Sequence, residues 1–88
     1  MKPVQFEAKA YDDFINWPIA NKEIFKKIID LIKDIDRESY KGLGKPEPLK
    51  YDLKGWWSRR ITDEHRLVYK IENDIICILS CKGHYKKV

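Results

Sequence analysis

The sequence predicts an α+β fold of two layers, with an N-terminal strand and a helical hairpin packed on a mainly antiparallel sheet. Three observations predict it. Val4-Gln5-Phe6 alternates as a strand does. From Ala8 the apolar residues change to helical spacing, with one break at Pro18. The second half returns to short alternating runs punctuated by Gly, Asn and Asp. The 88 residues read as one domain, 1–88, with no internal repeat, low-complexity tract or linker.

In the first helix Tyr11, Phe14, Ile15 and Trp17 form the apolar side, and Asp12 and Asp13 lie opposite. Pro18 is expected to end it, because proline lacks an N–H and its ring crowds the preceding turn. Asn21 is a good N-cap for the second helix, and Glu23 in its first turn suits the helix dipole. Ile24, Ile28, Leu31, Ile32 and Ile35 make one stripe, widened by Phe25 and Ile29. Lys22, Lys26, Lys27, Asp30, Lys33 and Asp34 are expected on the solvent side. The stripe is expected to pack on a sheet.

A polar connection then runs to Gly42 and Gly44. In Pro46-Glu47-Pro48 each proline pushes the residue before it toward extended geometry, so Glu47 is held in a stiff, non-helical segment. Leu49–Leu53 is expected to be a short strand closed by Gly55. Trp57–Ile61 and Arg66–Ile71 are strand runs joined by Thr62-Asp63-Glu64-His65, with His65 read as part of the turn. Asn73-Asp74 marks a second tight turn, and Ile75–Tyr85 reads as the last strand.

Alternation sorts the side chains by face. In the last strand it puts Ile75, Cys77, Leu79 and Cys81 toward the helices, and Ile76, Ile78, Ser80, Lys82 and His84 on the open face. In the strand before it, Leu67, Tyr69 and Ile71 point inward, and Arg66, Val68 and Lys70 outward. The hairpin loop sets the register of its partner strand. An odd-numbered loop pairs Arg60 with Arg66, whereas a two-residue loop brings Arg59 to that face. The first is favoured, because it leaves the more apolar set against Leu67 and Tyr69. The open face then collects Arg60, Arg66, Lys82 and His84, with Glu47 at its rim.

Composition narrows the classes of function. No run approaches the ~20 apolar residues that span a bilayer. No apolar segment follows Met1-Lys2-Pro3 as a signal peptide requires, so the expected location is the cytoplasm. Cys77 and Cys81, four apart in a strand, would have Cα atoms ~13 Å apart, too far for a disulfide. With so few cysteines and histidines, no metal or other cofactor is expected. The net charge of +4 is uneven. Residues 1–40 hold seven Lys/Arg against eight Asp/Glu, and residues 41–88 hold eleven against six. The basic excess lies in the loop-and-strand half, which suits a polyanion such as nucleic acid.

One carboxylate, one imidazole and several fixed cations suit RNA cleavage. RNA carries its own nucleophile, so Glu47 as base and His84 as acid suffice without a metal. Arg66 would take two phosphate oxygens through its guanidinium fork, and Tyr85 would stack on a base or position the phosphate. Lys50, Arg60, Arg59 and Lys82 are the further candidate RNA-binding cations. Taken singly, each has a plainer reading: a solvated loop carboxylate, exposed strand cations, a surface histidine. On spacing alone, a generic basic binding domain remains ahead of a nuclease.

Longer blocks carry a resemblance. GKPEPLK at 44–50, WSRRITDEHRLVY at 57–69 and His84-Tyr85 resemble the YoeB (Txe/YoeB) toxins of the RelE-like superfamily. The likeness covers nearly the whole chain, including Tyr11-Asp12-Asp13 and residues 26–34. It implies a RelE-like toxin fold and a metal-independent, ribosome-dependent endoribonuclease that cuts mRNA in the ribosomal A site. It implies a cognate antitoxin as partner, besides the ribosome and mRNA, with no membrane partner and a homodimer among the expected assemblies. By the same likeness Glu47 matches the general base, His84 the general acid, Arg66 the phosphate-stabilising arginine and Tyr85 the aromatic near the scissile bond. Lys50 and Arg60 match accessory basic positions. Two departures stand out: Leu43 replaces an expected basic residue, and Lys86-Lys87-Val88 follow a tyrosine at which the family often stops. A non-enzymatic ribosome binder and a gyrase-directed toxin are the rival classes.

Overall fold

Asn21 sets the helical layer. Its side-chain oxygen accepts from the N–H groups of Glu23 and Ile24 at 3.1 and 3.2 Å, so it caps the second helix. In the computed structural model, which describes residues 1–84, the elements are β1 (Val4–Phe6), α1 (Ala8–Ala20), α2 (Lys22–Arg37), β2 (Glu47–Pro48), β3 (Trp57–Arg60), β4 (Arg66–Glu72) and β5 (Ile75–Ser80). Pro18 does not end α1. The helix loses the one bond that residue 18 cannot donate and runs on to Ala20, where Asn21 N–H donates to Trp17 O at 2.7 Å.

The expected stripe of α2 is buried from Ile24 to Ile35. Each fully buried isoleucine there contributes roughly 1.5–3 kcal/mol. In α1 the inward residues are Ala10, Phe14 and Trp17, while Tyr11 and Ile15 are exposed. The apolar side assigned from spacing was therefore rotated, because small Ala10 was not counted as a core residue.

The strands form one sheet in the order β1-β5-β4-β3-β2. β1 runs parallel to β5, and the other pairs are antiparallel. Leu67, Tyr69, Ile76, Ile78 and Cys81 meet the helices in the core. Three features of the strands differ from expectation. Residues 49–53 are not a strand: Glu47-Pro48 pairs with β3 instead, and Tyr51–Leu53 is a 3-10 turn. β5 stops at Ser80 rather than continuing toward Tyr85.

The third difference is one of face. Ile76 and Ile78 point into the core, and Cys77 pairs with Lys70 on the opposite side. Past them the register shifts, so that Tyr69 faces Ile78 but Val68 faces Ser80. Leu79 is the extra residue of a β-bulge, and a bulge reverses the alternation beyond it. Cys81 is consequently buried as expected, whereas Cys77 is not. The turn at Asn73-Asp74 is as expected, with φ of 52° and 62°, the left-handed pair that a two-residue hairpin requires.

Candidate active site

The β3–β4 hairpin has an odd, five-residue loop, and it pairs Arg60 with Arg66 directly across the strands. Thr62 shapes the loop. Its hydroxyl accepts from the N–H groups of Glu64 and His65, both at 3.1 Å. Ile61 and Thr62 in turn donate to His65 O.

One step along the same face runs a row of cross-strand neighbours. Glu47 faces Ser58, Ser58 faces Val68, and Val68 faces Ser80. Directly opposed residues share a face. Glu47, Arg60 and Arg66 are therefore on the side away from the helices. Ideal strand spacings put the Glu47 and Arg66 Cα atoms roughly 12 Å apart, which leaves room for a phosphodiester between their side chains. Ser58 and Val68 are buried in the middle of this face, and Glu47 and Arg60 are exposed at its edge.

Arg66 lies on the floor, 8% exposed. Its Nη1 donates to the carbonyls of Thr62 at 2.6 Å, His65 at 3.1 Å and Asp63 at 3.2 Å. Three backbone acceptors hold the guanidinium in one orientation. The Arg66 N–H also donates to Gly83 O at 3.0 Å, so the segment leading to His84 is hydrogen-bonded to the start of β4. His84 is exposed, and Tyr85 lies outside the described residues.

The remaining cations divide. Lys50 is exposed beside β2. The Lys82 ammonium lies 6.0 Å from the centre of the Trp17 ring, at the α1 end rather than over the middle of the face. Arg59 is a correction. It alternates with Arg60, sits opposite Leu67 and is fully buried against the helices. It cannot contact RNA in this fold. All five of its N–H donors are taken: Nε by Tyr69 OH, Nη1 by Asp34 Oδ2 and Leu43 O, and Nη2 by Glu38 O and Lys41 O.

Asp34, expected on the solvent side of α2, is buried with it. Its carboxylate accepts from Leu43 N–H, Arg59 and Arg37. The Leu43 N–H first, and the Arg59 guanidinium next, hold its pKa at about 2. A Cβ on Gly42 would collide with Asp34 Oδ2, so the loop passes this pair only as glycine. Gly44 O then accepts from Arg60 N–H at 2.6 Å. The loop that delivers Glu47 is thereby tied to α2 and β3. One sequence signal pointed to this. Arg59 alternates with Trp57 and Ile61, and a charged residue on the core side needs a buried partner. The contact that His65 makes was also not foreseen: its Nδ1 accepts from Gly83 N–H at 2.8 Å. Nothing in its spacing separates it from an ordinary turn residue.

One carboxylate and two paired arginines therefore share the open face of a helix-backed sheet, and the segment before His84 is hydrogen-bonded to its edge. Comparison with known proteins places that architecture. Residues 6–85 match the family model described as "YoeB-like toxin of bacterial type II toxin-antitoxin system". Toxin YoeB of Escherichia coli (strain K12) is 52% identical over 77 residues, 88% of this chain and 92% of that protein. The YoeB-YefM complex from Staphylococcus aureus contains a chain 45% identical with a TM-score of 0.90, over 97% of this chain and 99% of that one. The YoeB dimer from Staphylococcus aureus matches at 45% identity and a TM-score of 0.89, over 96% of this chain and 98% of that one. The fold, two helices on a five-stranded mixed sheet, is that of the RelE-like toxins. The chain belongs to the YoeB family of toxins from bacterial type II toxin–antitoxin systems.

Proposed function

We propose that residues 1–88 act as one toxin domain, a ribosome-dependent endoribonuclease that cuts mRNA in the ribosomal A site and so inhibits translation. The observation that carries this is the shared face of Glu47, Arg60 and Arg66, with the His84 segment hydrogen-bonded to Arg66 through Gly83. Glu47 takes the proton of the 2′-hydroxyl. The 2′-oxygen attacks the adjacent phosphorus, the bond from phosphorus to the 5′-oxygen breaks, and His84 gives that oxygen a proton. The products are a 2′,3′-cyclic phosphate and a new 5′-hydroxyl end. Charge grows on the phosphate oxygens as the 2′-oxygen attacks. Arg66, already held by three carbonyls, meets that charge without reorganising. Tyr85 stacks on a base or positions the phosphate, and Lys50, Arg60 and Lys82 hold the RNA backbone.

A cognate antitoxin neutralises the toxin, as the YoeB-YefM complex from Staphylococcus aureus suggests by its composition. An acidic segment folding onto the basic face fits the charge. The homodimer is a further assembly, by analogy with the YoeB dimer from that organism. The working site is the cytoplasm, where translating ribosomes are found.

The test is cleavage of mRNA on programmed ribosomes. Wild type should yield fragments with new 5′-hydroxyl ends. Glu47→Ala, Arg66→Ala and His84→Ala should each be slowed, by ~100- to 10,000-fold for the two proton-transfer residues. Three variants that all cut as fast as wild type would sink the assignment.

A further inference from the structure

We propose that His65 is a positioning residue for cleavage: its Nδ1 accepts the Gly83 N–H and thereby fixes the segment that presents His84. The inference rests on the reading of His84 as the general acid. The Gly83 N–H to Nδ1 bond is 2.8 Å long. The other side of the same residue is held too, since Gly83 O accepts from Arg66 N–H at 3.0 Å. Two consecutive residues, the last of the hairpin loop and the first of β4, therefore grip both polar backbone groups of Gly83. Its φ of +79° suits glycine and turns the chain out of the line of β5. The next residue is His84, one ~3.8 Å Cα step away.

The imidazole is itself fixed. It is 9% exposed, and its ring meets Trp17 edge-on, with centroids 4.9 Å apart. Trp17 Nε1 donates to Cys81 O at 3.1 Å, so the same indole also holds the chain two residues before Gly83. The backbone of His65 is locked in the turn by Thr62. Only an imidazole nitrogen that carries no proton accepts a hydrogen bond, which assigns the neutral ring with its proton on Nε2. Glu64 Oε1, 3.8 Å from Nε2, favours the proton at that position.

His65 thus acts through the chain that carries His84 rather than on the substrate itself. It sets where His84 stands, while its neighbour Arg66 holds the phosphate. Base and acid come from separate segments, Glu47 in β2 and His84 after β5, and a displacement of about 1 Å in such a group costs on the order of 100-fold in rate.

Two measurements on the full chain test this. The ring nitrogens of His65, read by 15N-resolved NMR, should show Nε2–H and an unprotonated, hydrogen-bonded Nδ1; an Nδ1–H tautomer overturns the proposal. The second is single-turnover cleavage on programmed ribosomes by His65→Asn, His65→Gln and His84→Gln. The Asn oxygen takes the place of Nδ1, whereas Gln mimics Nε2 only. His65→Gln should be slowed at least tenfold with an unchanged half-saturating ribosome concentration, and His65→Asn should recover most of that loss. Equal rates for His65→Asn and His65→Gln refute the positioning role. His84→Gln cutting at the wild-type rate instead refutes the acid assignment beneath it, while the NMR reading reports the hydrogen bond separately.

Discussion

Arg59 Nη1 donates to Asp34 Oδ2 at 2.5 Å, and this buried pair joins β3 to α2 across 25 residues of sequence. The same guanidinium takes the carbonyls of Glu38, Lys41 and Leu43, so it organises the loop that carries the chain toward Glu47. Removing one partner leaves the other charged and buried. Asp34→Ala should therefore cost about 3–5 kcal/mol. Urea unfolding, read as the shift in midpoint, measures it. A loss below ~1 kcal/mol would mean that the pair contributes little.

Acid should act through the same carboxylate. The Asp34 pKa falls from an ordinary 3.8 to about 2 on folding, chiefly through the Leu43 N–H. A depressed folded-state pKa stabilises the fold above the unfolded value and loses that contribution as pH falls through the folded one. The contribution is complete above pH ~4 and disappears toward pH ~2. Wild type should thus lose thermal stability more steeply than Asp34→Asn over that window. Matching slopes for the two proteins would contradict the assignment.

How far the sequence disclosed all this depends on the kind of constraint. The α2 stripe was readable because five aliphatic residues at helical spacing have one way to be buried. The Arg60–Arg66 pairing was readable because an odd loop and an apolar opposite face agree. Asp34 was not readable: an acid next to Lys33 and one turn from Arg37 looks solvated, and its buried partners lie 9 and 25 residues away. The β5 faces failed for a related reason. Alternation assumes an unbroken ladder, and the bulge at Leu79 depends on the partner strand. In the candidate site, the shared face of Arg60 and Arg66 was legible, but the contact between Gly83 and His65 was not. Gly83 and His65 meet only because β4 and β5 are adjacent in the sheet.

The two cysteines should differ in reactivity. Burial pushes the Cys81 thiol up to about 11, and its Sγ lies 3.5 Å from Ala10 O. The thiolate is the nucleophile, so a raised pKa and burial both protect it. Cys77 is partly exposed on the sheet side away from the helices. Brief iodoacetamide treatment of native protein should mark Cys77 and spare Cys81, as peptide mass spectrometry would reveal. Comparable labelling of both would show that Cys81 is reached through opening of the core.

The paired arginines should fail in different ways. Arg66 is nearly buried and its Nη1 is held by three carbonyls, so its guanidinium is fixed in the free protein. A lysine there keeps the charge and loses the planar fork. Arg66→Lys should slow the chemical step by about 100- to 1,000-fold, the range for removing one preorganised transition-state donor. Arg60 is exposed at the edge of the same face. In the proposed role its charge attracts the RNA backbone from solvent, where salt screens it. Arg60→Ala should raise the half-saturating ribosome concentration and weaken its salt dependence, with a smaller effect on the saturated rate. Single-turnover cleavage at several salt concentrations separates the two. Should Arg66→Lys cut at the wild-type saturated rate, the fork is not used at the phosphate, and charge alone accounts for that position.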